Sequence, residues 1–562
     1  MRLLALNFSV DAAAVLLHEG REVAAVLQER FDRVKHSAAF PTNAIDFCLQ
    51  AGGVTIDQVE AVAVSWNPAV HLRQPNRLRE ATYRDHREYL DIIPARLMAL
   101  TDGEEVGDHL ELRTEVGGRP LQVHYFDHHL CHAAGAYFAS GFEDAAILTA
   151  DGYGERTSTL LAVGRGGQIT RLGAVDFPHS LGAVYAAVTQ FLGFRPNSGE
   201  GKVMALAGMG NPERYRAHFE RLLRVHDGGF EVDLSYFSYY RRGRYRFTEK
   251  FVRDFGQPRE PDGDLSADHL DLAAALQEAV EDVLLHLARG LRAQTDAPNL
   301  CLAGGVMLNA VAMGRLEREA GFDEIFVLPA AHDGGGPLGA AYLLSQRLGV
   351  SPRSASPYCD RLGSAPEPGE VERTLAKYNL RFQTLADPAS RAAQMIVAGK
   401  IVGWMRGSME YGPRALGARS ILADPRDAAV KERVNAKVKY REAFRPFAPV
   451  ALLGGADAYF ENARPTPFMN KVYRAKPDAI EKIPAVTHFD GSVRLQTVTR
   501  AEDAVLFDLI SHFEAATGVP MVLNTSFNKR GEPICATVED ALACFFTSGL
   551  DALFVGDCLL EK

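Results

Sequence analysis

The sequence predicts an α/β protein built as two successive units, on three observations. Residues 2–28 hold three short apolar runs, LLALN, AAAVLLH and EVAAVLQ, parted by turn residues (Ser9 with Asp11, then Glu19-Gly20), as in tight antiparallel strands. Strand, glycine turn and helix follow one another twice, in NLCLAGGVMLNAVAMGRL and EIFVLPAAHDGGGPLGAAYLL, the rhythm of a duplicated α/β fold. The stretch 349–369 is rich in Pro, Ser and Gly and reads as a linker. The expected division is a first unit over 1–350, a linker over 351–369 and a second unit over 370–562.

The elements follow in order. After the opening strands, PTNAIDFCLQAGG reads as a helix and VEAVAVSW as a strand. Residues 67–120 are charged, irregular and weakly helical, as an insertion would be. Strand LQVHYF, helix HHLCHAAGAYFAS and strands AAILTADG and STLLAVG come next. In residues 225–262, FEVDLSYFSYYRRGRYRF mixes aromatics with arginines, so that an exposed hairpin with cross-strand aromatic pairs or a cap over an acceptor would both fit. Residues 266–293 have the spacing of a long amphipathic helix. The second unit opens with strand KIVGWM, passes through a basic region and FRPFAPVALL, and ends with strand PMVLNTSFN and helix TVEDALACFF.

At 562 residues the chain is too long for one core, and roughly 100–200 residues per domain gives three to four domain-sized pieces. With 47% hydrophobic and 23% charged residues, a disordered or collagen-like chain is excluded. The net charge of −10 counts against a general nucleic-acid binder. No apolar run approaches the roughly 18 residues of a membrane helix. The start, MRLLALNFSVDAAAVLL, has a superficial likeness to a signal peptide, but Asp11 interrupts it and no small-residue cleavage site follows. The seven cysteines are spread out with no C-x-x-C, which fits reduced thiols in the cytoplasm.

The sharpest chemical signal is His128-His129-Leu130-Cys131-His132. On a helix His128 and His132 share a face and could reach one metal ion. His129 stands where an H-E-x-x-H protease carries its glutamate base. Asp151, at the end of AAILTADG, and Asp333, in HDGGG, sit at strand ends, where sites of α/β sheets assemble. Two imidazoles and two carboxylates suit iron or zinc. A polar helix start with its histidines facing water is the plainer alternative. His124 continues the spacing but falls in a strand and reads as structural, and Cys131 reads as packing. Gly304 and Gly305, and Gly334 to Gly336, precede helices, where glycine admits a ligand to the backbone and the helix start favours phosphate. Asn309 could hydrogen-bond a base or ribose, yet neither P-loop nor G-x-G-x-x-G spacing is present, and tight packing explains the glycines equally well. A basic stretch runs from Arg406 to Arg445, with Arg414 in YGPRALG and Arg445 in FRPFAP. Guanidinium groups among apolar and turn residues need oxyanion partners, either internal carboxylates or a phosphorylated ligand. Arg433 and Lys437 read instead as a solvated helical face, while Arg494 and NTSFN add donors to an anion pocket. No Ser-His-Asp arrangement and no G-x-S-x-G occurs.

The combination resembles the O-carbamoyltransferases of the NodU/CmcH family, and the likeness runs from end to end. Its pieces include LQERFDRVKHSAAFP, HHLCHAAGAYFASGF, DGYGE, SGEGKVMALA, GGVMLN, HDGGGPLGAA, EYGPRALGARSILADPR, VKYREAFRPFAP, DGSVRLQTV and NTSFNKRGEPI. The resemblance implies an N-terminal domain on the actin/Hsp70 (ASKHA) scaffold, like the threonylcarbamoyl transferases of tRNA, and a YrdC-like C-terminal domain. It implies that carbamoyl phosphate and ATP (with Mg) give carbamoyl-adenylate in the second domain. The first domain would then pass the carbamoyl group to an acceptor hydroxyl, a natural product or a sugar. Carried across by motif, Arg414, Lys439, Arg445, Arg494 and Ser526 would hold carbamoyl phosphate. His128, His132, Asp151 and Asp333 would hold the metal, iron by analogy. Gly304, Gly305 and Asn309 would face the adenylate, with Lys202 near its phosphate. A homodimer is compatible with the family but not read from the residues.

One departure bears on the second step. The family commonly carries His-Asp in the first turn, and here the string is Ser9-Val10-Asp11-Ala12-Ala13. Val10 cannot accept a proton, so Asp11 is a candidate base unless hydrogen bonds to the turn hold it; an unusual acceptor, such as a more acidic oxygen or an amine, or impaired transfer would also fit. Two other classes stay open, a threonylcarbamoyl-type transferase acting on tRNA and a non-enzymatic nucleotide-switched module. The acidic balance counts against the first, and paired histidines with a separate basic domain count against the second.

Overall fold

The computed structural model describes residues 1–67, 108–116, 118–241, 243–352 and 358–562. Most of the charged stretch read as an insertion, and part of the linker, lie outside the described residues. The chain forms two compact units, Met1–Ala25 with Ala38–Cys359, and Val26–Ser37 with Asp360–Lys562.

In the first unit, β1 (Arg2–Asn7), β2 (Ala13–His18), β3 (Arg21–Leu27), β4 (Ala61–Val64), β5 (His109–Val116) and β6 (Arg119–Phe126) form one sheet in the order β3-β2-β1-β4-β6-β5. A second sheet takes β7 (Asp144–Ala150), β8 (Thr157–Arg165) and β9 (Gln168–Asp176). Past a separate hairpin of β10 (Leu223–His226) and β11 (Gly229–Val232), it adds β12 (Asn299–Ala303) and β13 (Glu324–Val327), in the order β13-β12-β7-β8-β9. The two sheets repeat one plan. β1 pairs antiparallel with β2 and parallel with β4, and β7 pairs antiparallel with β8 and parallel with β12. β6 then extends the first sheet and β13 the second, each in parallel. This is the duplicated α/β arrangement expected of an actin/Hsp70-like domain.

Helix His128–Ser140 packs on helix Gly336–Arg347 at very short range. A Cβ on Gly339 would stand 1.8 Å from the Cys131 carbonyl oxygen. That oxygen is backbone, one residue before His132, and cannot swing away. Gly339→Ala is expected to cost about 1–3 kcal/mol or more in unfolding free energy, read from the urea midpoint. The aromatic segment turns inward rather than forming a cap or an exposed hairpin over its length. Phe237 and Phe247 meet in a single β-bridge, and Phe251 meets Phe191 edge to face and stacks with Phe255 at ring distances of 5.0 and 4.3 Å.

The second unit is built on a mixed sheet of nine strands. They are β14 (Gln383–Thr384), β15 (Val402–Met405), β16 (Arg419–Ala423), β17 (Ala448–Leu452), β18 (Lys471–Arg474), β19 (Ser492–Val498), β20 (Met521–Ser526), β21 (Ala552–Val555) and β22 (Cys558–Glu561). Their order is β14-β22-β21-β15-β16-β20-β17-β19-β18. Residues 26–37 belong to this unit. Arg30, 2% exposed, donates from Nη2 to the Gly412 carbonyl at 2.8 Å. Arg33 donates to the carbonyls of Ile534 and Pro533 at 2.7 and 2.8 Å.

At the start of the main segment of this unit, Arg361 pairs with Glu410 and Asp503 at 3.4 and 3.2 Å. Burial drives the neighbouring Asp360 up to about 6. In acid below the usual aspartate range, folded and unfolded chains both bind this proton. As pH rises toward about 6 the unfolded chain ionises first, so stability falls across that window and the penalty is complete above it. Asp360→Asn should therefore gain stability relative to the parent between about pH 4 and about pH 7.5, as urea midpoints at the two pH values would show. All seven cysteines are free and only Cys359 is exposed. No helix among the described residues is long and apolar enough to cross a membrane.

Candidate functional site

The first site lies in the first unit, where the helix after β6 meets the ends of β7 and β13. Asp127 caps that helix by accepting from Leu130 N at 2.8 Å, which places His128 and His132 on its first two turns. Both imidazoles are buried, and their Nε2 atoms stand 3.1 Å apart. Asp151 Oδ2 lies 3.1 Å from His132 Nε2 and 3.7 Å from His128 Nε2. Asp333 Oδ1 lies 3.6 Å from His128 Nε2 and 3.9 Å from His132 Nε2. One atom from each of the four groups falls within 4.8 Å of every other. The four predicted ligands therefore converge, although β6, β7 and β13 are far apart in sequence.

The chemistry of the cluster suits a cation. His128 Nδ1 is 3.4 Å from the Ser65 carbonyl, so Nε2 is the ring nitrogen turned toward the two carboxylates. Two Nε2 lone pairs at 3.1 Å, faced by two carboxylates, make a tetradentate nitrogen and oxygen donor set. Burial lowers His128, but Asp333 and Asp151 outweigh it and raise the group to about 10. Burial and His128 push His132 down. Burial and the Asp151 charge push Asp333 far up. The four groups could hold a metal ion.

The other predicted residues of this unit take the following places. Asp11 sits in a turn with φ 58°, its Oδ2 3.6 Å from His332 Nδ1, and its charge adds to that on Asp333. Asn7 holds the turn by donating to the carbonyls of Val10 and Asp11 at 2.9 and 3.2 Å. Gly304, at φ 98°, and Gly305 are packed against the end of β7. A Cβ at Gly304 would stand 2.2 Å from the Ala150 carbonyl oxygen, and one at Gly305 would stand 3.0 Å from Asp151 Oδ1. Close packing beside a metal-ligand candidate is thus sufficient reason for both glycines. Asn309 accepts from Ala312 N as a helix cap and exchanges hydrogen bonds with Gln277 at 2.8 and 3.0 Å. Its amide already has protein partners. Lys202 lies on helix Glu200–Ala207, with Nζ 5.1 Å from the centre of the Phe194 ring.

The second site lies in the second unit, at one edge of the nine-stranded sheet. β17 and β19 run parallel, and β20 runs antiparallel to β17, so the starts of β17 and β19 lie beside the end of β20. Arg445 precedes β17, Arg494 opens β19, Ser526 closes β20, and Arg414 precedes β16. Lys439, 4% exposed, closes a π-helical turn, Val434–Lys439, an irregularity frequent at functional positions. Its Nζ donates to Ser526 Oγ at 3.1 Å, to Asn528 Oδ1 at 2.7 Å and to both residues' carbonyls. Arg433 departs from the solvated face expected of it and donates to the Gly399 carbonyl at 2.7 Å, whereas Lys437 is exposed.

The electrostatics of this cluster are one-sided. Burial, reinforced by Arg445, pulls Arg414 down to about 10. Burial with Arg414, Arg441 and Arg445 pulls Arg494 far down, and burial with Arg441 does the same to Lys439. Burial lowers Arg445 as well, with only Glu442 opposing. Five predicted ligands are brought together, and two further cations join them. Arg441 is held by Asn435 Oδ1 at 2.7 Å and lies 4.4 Å from the Phe447 ring centre. Lys35, exposed where the others are at least half-buried, is the other, and partial desolvation with the charges of Arg445, Arg30 and Arg414 lowers it against Glu29. Lys35 was legible only as part of LQERFDRVKHSAAFP, some 400 residues from its neighbours. Lys439 is buried and Arg414, Arg441, Arg445 and Arg494 are half-buried, with little carboxylate among them, a setting whose chemistry suits an anion.

Comparison with known proteins assigns the family. The family profile described as "Carbamoyltransferase N-terminus" matches residues 3–342, and "Carbamoyltransferase C-terminus" matches residues 393–562. The nodulation protein NolNO of Sinorhizobium fredii is 39% identical over 99% of this chain and 79% of its own length. Nodulation protein U of the same species is 28% identical over 94% of each. An uncharacterised protein of Synechocystis, sll1178, is 37% identical over 98% of this chain and 95% of its own. With both profiles matched in order, the chain belongs to the carbamoyltransferase family and is a transferase enzyme.

Proposed function

We propose that the protein is an ATP-dependent O-carbamoyltransferase that makes carbamoyl-adenylate in its second unit and delivers the carbamoyl group to a hydroxyl of a small-molecule acceptor in its first. The observation that carries this reading is the one-sided cation cluster of Lys35, Arg414, Lys439, Arg441, Arg445 and Arg494. Its charge suits phosphates of both carbamoyl phosphate and ATP, the latter entering as its Mg complex. Atom balance requires water to take the phosphoryl group of carbamoyl phosphate as inorganic phosphate. The carbamate oxygen then attacks the α-phosphorus of ATP and pyrophosphate leaves. Arg414, Lys439, Arg445, Arg494 and Ser526 bind carbamoyl phosphate in this reading, and the guanidinium groups meet the charge that builds as pyrophosphate departs.

In the first unit, His128, His132, Asp151 and Asp333 would hold a divalent metal, iron in this proposal, which when bound would supply Lewis-acid polarisation of the carbamoyl carbonyl. Gly304, Gly305 and Asn309 border the adenylate and Lys202 balances its phosphate. Asp11 takes the proton of the acceptor hydroxyl as its oxygen bonds to the carbamoyl carbon, and AMP leaves. The turn held by Asn7, and the place of Asp11 beside His332 and Asp333, support that role. Asp11→Asn should lower product formation by about 10²-fold or more while pyrophosphate release continues, as parallel assays of the two products would show.

The whole reading is tested by incubating protein, ATP, carbamoyl phosphate and a panel of hydroxylated acceptors, then counting products. AMP, pyrophosphate, phosphate and carbamoylated acceptor in equal amounts are expected. No pyrophosphate under any divalent metal would remove the reading, and a tRNA product formed without carbamoyl phosphate would favour the threonylcarbamoyl alternative.

A further inference from the structure

Glu155 lies between β7 and β8 and is 1% exposed, yet the chemistry above gives it no task. Its carboxylate accepts from His128 N, at 3.2 Å to Oε1 and 3.1 Å to Oε2, and from Asn67 N. The His128 amide is among those a helix start leaves without an intrahelical partner. Asn67 is two residues beyond Ser65, whose carbonyl meets His128 Nδ1. A single carboxylate thus grips the backbone of His128 and the strand end that orients its ring. Asp127, the other acid at this helix start, has its charge met by Arg171 at 2.8 Å. Burial and the Asp127 charge raise the Glu155 carboxyl to about 8, so what Glu155 supplies here is its two accepting oxygens, placed directly behind the first histidine.

We infer that Glu155 is a positioning residue of the metal centre: it holds His128 in ligating orientation and strengthens cation binding without reaching the ion itself. Three observations support the inference. The carboxyl group is buried and is held by the backbone N–H groups of His128 and Asn67, so its position is defined. It joins the turn after β7 to the end of β4 and to the helix, the three parts that shape this ligand. Removing an outer partner of a ligating histidine typically costs 10–100-fold in metal affinity. The inference rests on the metal reading of His128, His132, Asp151 and Asp333.

The test is a titration of the metal-free full-length protein with Co2+, followed by visible absorption and by competition with a chelator. Glu155→Gln, which replaces one of the two accepting oxygens with an NH2 donor, should bind Co2+ about 10–100-fold more weakly, with an altered spectrum. A purely structural part would lower the melting temperature and leave affinity and spectrum of the folded protein untouched. Should Glu155→Gln not fold, Glu155→Asp, with both oxygens kept and the reach shortened, carries the same expectation. A folded variant with the parent's affinity and spectrum overturns the role of Glu155. A parent protein that binds no Co2+ overturns the metal reading and the inference with it, and the two failures are seen in different samples.

Discussion

Arg445→Ala is expected to lower carbamoyl-phosphate-dependent pyrophosphate release by at least about 10²–10³-fold. Arg445 stands at the start of β17 among Arg414, Arg441 and Arg494, and its charge depresses each of them. The cluster carries repulsion that phosphate relieves. Without Arg445 the phosphates lose a donor placed by the sheet edge, and the barrier to pyrophosphate departure rises. The folded protein loses a repulsive neighbour instead, so the melting temperature should hold or rise, which separates a catalytic loss from unfolding. Arg445→Lys, with charge but no planar fork, should fall between the two. A steady-state pyrophosphate assay and a thermal melt on each variant decide the matter. Unchanged pyrophosphate release in Arg445→Ala would contradict the assignment.

His132→Ala should divide the reaction in the opposite way. His132 is fully buried, and its Nε2 faces Asp151 and Asp333 in the first unit. Its loss removes one of four convergent donors. The Lewis-acid contribution of a metal is several kcal/mol, and each 1.4 kcal/mol is tenfold, so carbamoylated product should fall roughly 10³-fold. Pyrophosphate release should continue, because the cation cluster belongs to the other unit. Treatment of the parent with a chelator that spares Mg should give the same division. Loss of both steps in His132→Ala, with the protein still folded, would contradict separate tasks for the two units.

Much of the fold was legible because its signals are local. Ser9, Asp11, Glu19 and Gly20 mark turns, and the runs between them became β1, β2 and β3. His128 and His132 were legible through helical spacing, and Asp151 and Asp333 through their places at strand ends. Arg414 and Arg445 stood out as cations in apolar company. What stayed hidden depends on long-range packing. Arg30 meets Gly412 from 382 residues away, and no pattern near residues 26–37 announces that this strap joins the second unit. Lys35 was hidden for the same reason. Lys439 enters its pocket on a π-helical turn that breaks helical spacing. Asn309 reads from the sequence as a group for a base or ribose, and nothing in the sequence announces that Gln277, 32 residues upstream, exchanges hydrogen bonds with its amide. Glu155 was passed over because burial and backbone partners, rather than residue type, set it apart.

The central claim is that the cation cluster makes a mixed anhydride of carbamate and AMP. It is tested most directly by quenching His132→Ala protein that has consumed isotopically labelled carbamoyl phosphate and ATP, and weighing the small molecules by mass spectrometry. A species carrying both the labelled carbamoyl carbon and AMP is the predicted result. ADP as the sole nucleotide product, or label reaching the acceptor with ATP left intact, would contradict it.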